Sequence, residues 1–230
     1  MTEFHRYGVY YAPPAVSALA RLGADWLGWD AEAGRKATHP DLPGLPRPAA
    51  ALTETARKYG VHATLKPPFR LPDWRSPEQL HLALDTVARG IAPFEVPCVA
   101  VGLLGRFAAL LPAAPCPRLD ALAAATVEAL DDFRAPPDAA ERARRGKPGL
   151  SARQQALLDR WGYPYVMDEF RFHMTLTGPL DDDEAAPVTA ALTAYFAPAL
   201  ATALPVREVC LFGEDTAGRF HLVRRVPLGG

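Results

Sequence analysis

The sequence is short of cysteine, of surplus positive charge and of long apolar runs. Its three cysteines, Cys98, Cys116 and Cys210, are odd in number, lie far apart and form no CxxC pair. They read as reduced thiols, buried as small hydrophobes. Lys and Arg number 25 against 26 Asp and Glu, a balance that argues against extended nucleic acid as a partner, since a dedicated binder would be basic. No run of about 18 apolar residues is available to span a bilayer. The opening residues MTEFHRYGVYYAPP lack the charged-then-apolar layout of a secretion signal. Together these absences point to a cytoplasmic protein without a membrane partner.

What is present is ordinary globular material. Hydrophobic residues make up 49% of 230, enough to bury a core in one domain or two small lobes. Strand patterns are expected over 6–12, 61–69, 94–104, 106–111, 204–213 and 218–226, and another around FRFHMTLT. Helical spacing is expected from Val16 to a stop at Gly23, over 48–59, and through Leu119, Leu122, Thr126 and Phe133. It is expected again over 183–201. Ser76 and Ser151, each with Gln three residues on, are helix caps leading to Gly90 and Trp161. Short strands that neighbour one another directly favour an α+β fold with antiparallel sheets. Residues 28–48 hold four prolines and no periodicity, the composition of a lid or binding loop. The segment 134–149, with four arginines and one lysine, is either a linker or an arm reaching over an anionic ligand.

One strand pattern occurs twice. VHATLKPPF at 61–69 and FHMTLTGPL at 172–180 both read apolar-His-apolar-Thr-Leu-polar, followed shortly by proline, and they lie almost half the chain apart. In strand geometry, side chains two apart share a face. His62, Thr64 and Lys66 would then share one face, and Arg171, His173, Thr175 and Thr177 another. A single HxT triplet carries little information. Two copies on alternating strands, each with a cation on the same face, are hard to attribute to chance, and burying such groups without use is costly.

These residue types suit phosphodiester chemistry. Imidazole titrates near pH ~6.5, so one histidine can take a proton from the attacking oxygen while the other protonates the departing one. Thr64 and Thr175 hydroxyls can donate to the non-bridging oxygens, and Lys66 or Arg171 can offset their charge. Of the two cations, Arg171 is the better placed, because its planar fork suits two oxygens and Pro67 follows Lys66 at once. The scheme needs no metal and no other cofactor. Nothing in it says which histidine is acid and which is base.

The paired HxT strands resemble the 2H phosphoesterase superfamily, which includes the 2′-5′ RNA ligase-like and cyclic phosphodiesterase proteins. The resemblance implies a two-lobed, pseudo-symmetric fold, with antiparallel sheets around a central cleft, helices outside and one HxT strand from each lobe. The lobes would lie at roughly 1–112 and 113–230, with strands exchanged between them where the fold requires it. It also implies metal-independent action on a cyclic or related phosphodiester, a small-molecule substrate. RYGVYYAPP at 6–14, LGWDAEAG at 27–34, HATLKPPF at 62–69 and WGYPYVMDEFRFHMTLTGPL at 161–180 resemble one branch, the DUF1045 or phosphonate-metabolism proteins.

Other residues carry less. Tyr7 and Tyr11 share a face of the first strand, either lining the cleft or packing in the core. His5, His39, His81 and His221 lack a matching partner, and Trp26, Trp29 and Trp161 suit packing better than base stacking. Two rival readings stand beside the phosphoesterase. A metal-dependent phosphohydrolase would want an HxH or HExxH run, which the sequence does not contain. A non-catalytic module for a nucleotide or RNA end would want a basic, aromatic-lined cleft.

Overall fold

A computed structural model describes residues 4–137 and 149–230 of the chain. Its frame is one seven-stranded antiparallel sheet in the order β11-β10-β1-β4-β8-β7-β6. The strands are β1 (Arg6–Tyr11), β4 (Ala63–Phe69), β6 (Val99–Leu104), β7 (Phe107–Pro112), β8 (Met174–Thr175), β10 (Glu208–Glu214) and β11 (Phe220–Pro227). Strands from the two halves of the chain interleave: β10 and β11 flank β1 and β4, while β8 joins β6 and β7. The two groups meet at one rung, Ala63 opposite Met174.

Alternation sorts the faces. Val9, Leu65, Met174, Leu110 and Leu211 point into the main core, covered by α3 (Pro77–Arg89), α4 (Pro117–Ala129) and α6 (Asp182–Phe196). Tyr10, Cys210, Phe212 and Phe220 point the other way and form a second, aromatic cluster with Trp29. The capped helices begin as expected: Ser76 starts α3 and Ser151 starts α5 (Ala152–Trp161), each with a complete capping box.

Several boundaries differ from the sequence reading. Helix α1 (Ala18–Leu27) runs through Gly23 and stops at Gly28, which has φ 71°. Gly23 is there for close approach, because a Cβ would sit 2.7 Å from the Val61 side chain beside the first motif. The proline-rich stretch contains a small hairpin, β2 (Trp29–Asp30) with β3 (Arg35–Lys36). The helix expected over 48–59 is only α2 (Ala49–Leu52) and a 3₁₀ turn at Arg57–Tyr59. The strand expected over 94–104 divides into β5 (Phe94–Val96), paired with β9 (Leu204–Val206), and β6. The FRFHMTLT strand shrinks to two residues, because β8 has neighbours only around Met174 and Thr175. Most of the basic segment, 138–148, lies outside the described residues.

Candidate active site

The Ala63–Met174 rung sets the geometry of the duplicated motif. In an antiparallel ladder the next pairs fall one residue to either side. His62 therefore stands across from Thr175, and Thr64 across from His173. The motifs are crossed, each histidine facing the other copy's threonine. The two histidines are diagonal neighbours, for which Cβ separations of about 7–8 Å or less are typical. That spacing suits two imidazoles closing on one tetrahedral group.

Each histidine is held the same way. The Nδ1 of His62 lies 3.0 Å from the Gly60 carbonyl, and that of His173 lies 2.7 Å from the Arg171 carbonyl. A carbonyl only accepts, so each Nδ1 carries the proton and donates it. Each neutral ring then presents a bare Nε2 lone pair as a base. The surroundings differ. His62 packs against Tyr10 (ring centroids 4.5 Å apart) and stacks on Tyr59 (5.0 Å). Burial pushes its pKa down to about 4, offset in part by the Gly60 bond and lowered further by nearby His173. His173 meets one ring, Phe107, at 5.8 Å. Burial lowers its pKa also, against the opposing Arg171 carbonyl bond.

Two cavities flank the crossed motif and share Thr64, Pro67 and Tyr163. One, of about 260 Å³, reaches His62, Thr175, Thr55, Tyr10 and Tyr59. The other, of about 490 Å³, reaches His173 and Arg171 and is walled by Leu104, Phe107, Tyr165 and Phe170. The chain just after each motif is tied down. The Trp26 indole donates to the Leu176 carbonyl at 2.7 Å, and Gly178 N–H donates to the Leu52 carbonyl at 2.7 Å. Among the described residues, no group of three or more His, Cys, Asp or Glu side chains is placed to hold a metal ion.

His62, His173, Thr64, Thr175 and Arg171 thus come together, whereas Lys66 does not. β4 carries a bulge: Tyr10 pairs with Thr64, but the next residue back, Val9, pairs with Lys66. The extra residue turns Lys66 onto the Val9 face, against the expected alternation. Its ammonium donates to the Val127 carbonyl at 3.2 Å and lies 3.8 Å from Asp131. It caps the C-terminal end of α4, where helix carbonyls lack partners. Burial pushes its pKa down to about 8, with Asp131 opposing the fall.

For Tyr7 and Tyr11 the structure takes the core reading, and it moves Thr177 off the cleft face. Tyr7 and Tyr11 pack in the main core, and Tyr10 between them faces the site. Thr177 is 1% exposed and accepts the Ala108 N–H at 2.9 Å, ending the β7–β8 ladder. The four remaining histidines are engaged elsewhere: His5 with Glu214, His39 with the Trp26 carbonyl, His81 with Arg224 and His221 with Asp215. Arg134, in the basic segment, pairs with Asp131.

Thr55, Tyr59, Tyr163 and Tyr165 line the site without having been singled out. Thr55 and Tyr59 precede His62 by seven and three residues, on a segment expected to be plain helix. Tyr163 and Tyr165 sit in the quoted stretch before the second motif and keep exposures of 37% and 48%.

A family model described as "Protein of unknown function (DUF1045)" matches residues 64–221. A ribose 1,5-bisphosphate phosphokinase PhnN of Laribacter hongkongensis (strain HLHK9) is 40% identical over 224 residues, which is 97% of this chain and 52% of that protein. The PhnN of Janthinobacterium sp. (strain Marseille) is 36% identical over 231 residues, 98% of this chain and 51% of that one. The chain spans about half the length of these curated relatives. Among solved structures, a phosphoesterase aligns at TM-score 0.45 and 17% identity, covering 99% of this chain and 100% of that one. E. coli LigT with 3′-AMP aligns at TM-score 0.46 and 16% identity, covering 99% and 100%.

Proposed function

The chain belongs to the DUF1045 family, and we propose that it is a phosphoesterase of the two-histidine kind, acting on a cyclic or related phosphodiester in phosphonate metabolism. The observation that carries this reading is the crossed register of His62-x-Thr64 and His173-x-Thr175 about the Ala63–Met174 rung. One neutral imidazole takes the proton of the attacking oxygen, and the other, protonated, gives one to the departing oxygen. Thr64 and Thr175 hydroxyls donate to the non-bridging oxygens, and Arg171 at the cavity rim supplies the charge-assisted contact. No metal enters this scheme.

The relatives are named for a phosphokinase, but they are proteins about twice this length. This chain has no G-x-x-x-x-G-K-[ST] run, the phosphate cradle of one large class of nucleotide-using enzymes. The sugar phosphate in that name supports placing ribosyl phosphoesters among the substrates to test. The deciding experiment is turnover by the purified chain of 2′,3′-cyclic nucleotides, ribosyl 1,2-cyclic phosphates and linear diesters, with and without a strong chelator. Chelator-insensitive hydrolysis that His62→Gln abolishes is expected. Activity lost on chelation would favour the metal-dependent reading, and tight binding without turnover the non-catalytic one.

A further inference from the structure

The two cavities that meet at Thr64 and Tyr163 are unlike, and their difference gives the reaction a direction. In phosphoryl transfer the attacking and departing oxygens lie roughly in line across phosphorus. A phosphate gripped between His62 and His173 therefore receives its nucleophile from one cavity and releases its alcohol into the other. The His62 side, about 260 Å³, has polar edges in Thr55, Tyr59 and Thr175. The His173 side, about 490 Å³, is walled by Leu104, Phe107, Val166 and Phe170, with the partly exposed Tyr163 and Tyr165 also lining it. A volume of that order suits a ring-sized substituent, and an apolar wall gains by burying one.

We infer that His62 activates water in the smaller cavity, and that the departing alcohol, protonated by His173, carries an apolar ring seated between Phe107 and Tyr165. This rests on the phosphodiester reading above. In the step, a proton of water passes to His62 Nε2 as its oxygen bonds to phosphorus. The bond from phosphorus to the ring-bearing oxygen breaks, and that oxygen takes the proton held on His173 Nε2. A linear diester gives a phosphomonoester and an alcohol, a cyclic one a single phosphomonoester carrying the freed hydroxyl, and the two histidines exchange protons with solvent to reset. The surroundings agree: His62 packs against two phenol rings and resists charging, while His173 touches one ring and opens onto the larger space beside Arg171. Gln154, which donates to Glu169 at 3.1 Å, lines the same cavity with it and offers polar partners for substituents on the ring.

The test separates the two histidines by leaving group. Nitrophenolate departs without a proton, whereas an alkoxide needs one. His173→Gln should lose at least ~100-fold on methyl benzyl phosphate but less than ~10-fold on methyl 4-nitrophenyl phosphate. His62→Gln should lose at least ~100-fold on both. The reverse pattern, or equal losses by both variants on both esters, overturns the assignment. For the ring seat, benzyl phosphate should compete at least tenfold better than methyl phosphate, and Tyr165→Ala or Phe107→Ala should remove the advantage without weakening inorganic phosphate. Equal competition by the two monoesters overturns the ring seat alone. A wild-type chain that turns over neither diester and binds no inorganic phosphate overturns the phosphodiester reading itself.

Discussion

Ala63 pairs with Met174, and that one rung joins the two halves of the sheet and crosses the two motifs. Both side chains are fully buried, so the histidines on either side inherit a rigid spacing. Met174→Ala should destabilise the chain by about 2–4 kcal/mol, the usual cost of emptying a core methionine. It should also lower turnover at temperatures where the variant is still folded. Thermal melting together with kcat checks both, and a destabilised variant with wild-type kcat would mean the spacing is set elsewhere.

In the proposed reaction the two threonines donate to phosphate oxygens. Thr64→Val and Thr175→Val, close to isosteric, should each reduce kcat by roughly 10- to 1000-fold, as loss of one donor to developing charge does. KM should change less. Thr177→Val should instead show itself in thermal stability, because its hydroxyl serves the Ala108 N–H.

Lys66 and Arg171 should separate cleanly. Lys66→Met removes the cap on the Val127 carbonyl and should cost about 1–3 kcal/mol, as a buried unpaired acceptor does. Its effect on phosphate inhibition should stay within twofold. Arg171→Ala should weaken inhibition by phosphate or vanadate about tenfold, in line with one charge-assisted contact, with little change in melting temperature. Inhibition constants and melting curves on the two variants decide it.

Both histidines titrate below their ordinary value, His62 at about 4. A reaction needing one protonated and one neutral imidazole should therefore show kcat/KM greatest at acid pH. The profile should fall below about pH 4 and again above a limb that lies under the ordinary histidine value. Tyr59→Ala admits water to His62 and should move the lower limb up. The same shift bears on stability. Between the ordinary value and about pH 4 the unfolded chain binds a proton at residue 62 that the folded chain refuses, so stability is lost as pH falls through that window. His62→Gln should be less sensitive to acid across it, as urea midpoints against pH will show.

By itself the sequence determined the chemistry on offer and much of the local structure. The HxT pair, the Arg171 position two residues before His173, and the Ser76 and Ser151 caps all rest on spacing of two to four residues. Interactions of that range are written in neighbouring side chains and backbone angles. The tertiary structure decided what faces what. Nothing within VHATLKPPF announces the bulge that turns Lys66 away, since it exists only in the pairing of β4 with β1. That same pairing puts Tyr10 at the site and sends Tyr7 and Tyr11 into the core. The crossing of the motifs needs β8 beside β4, across more than a hundred residues of chain. Thr55 and Tyr59 reach the His62 cavity because the helix expected there breaks into two short turns, packed against the chain that leaves the second motif at Gly178. Register and face are properties of two strands together, and one strand's sequence cannot state them alone.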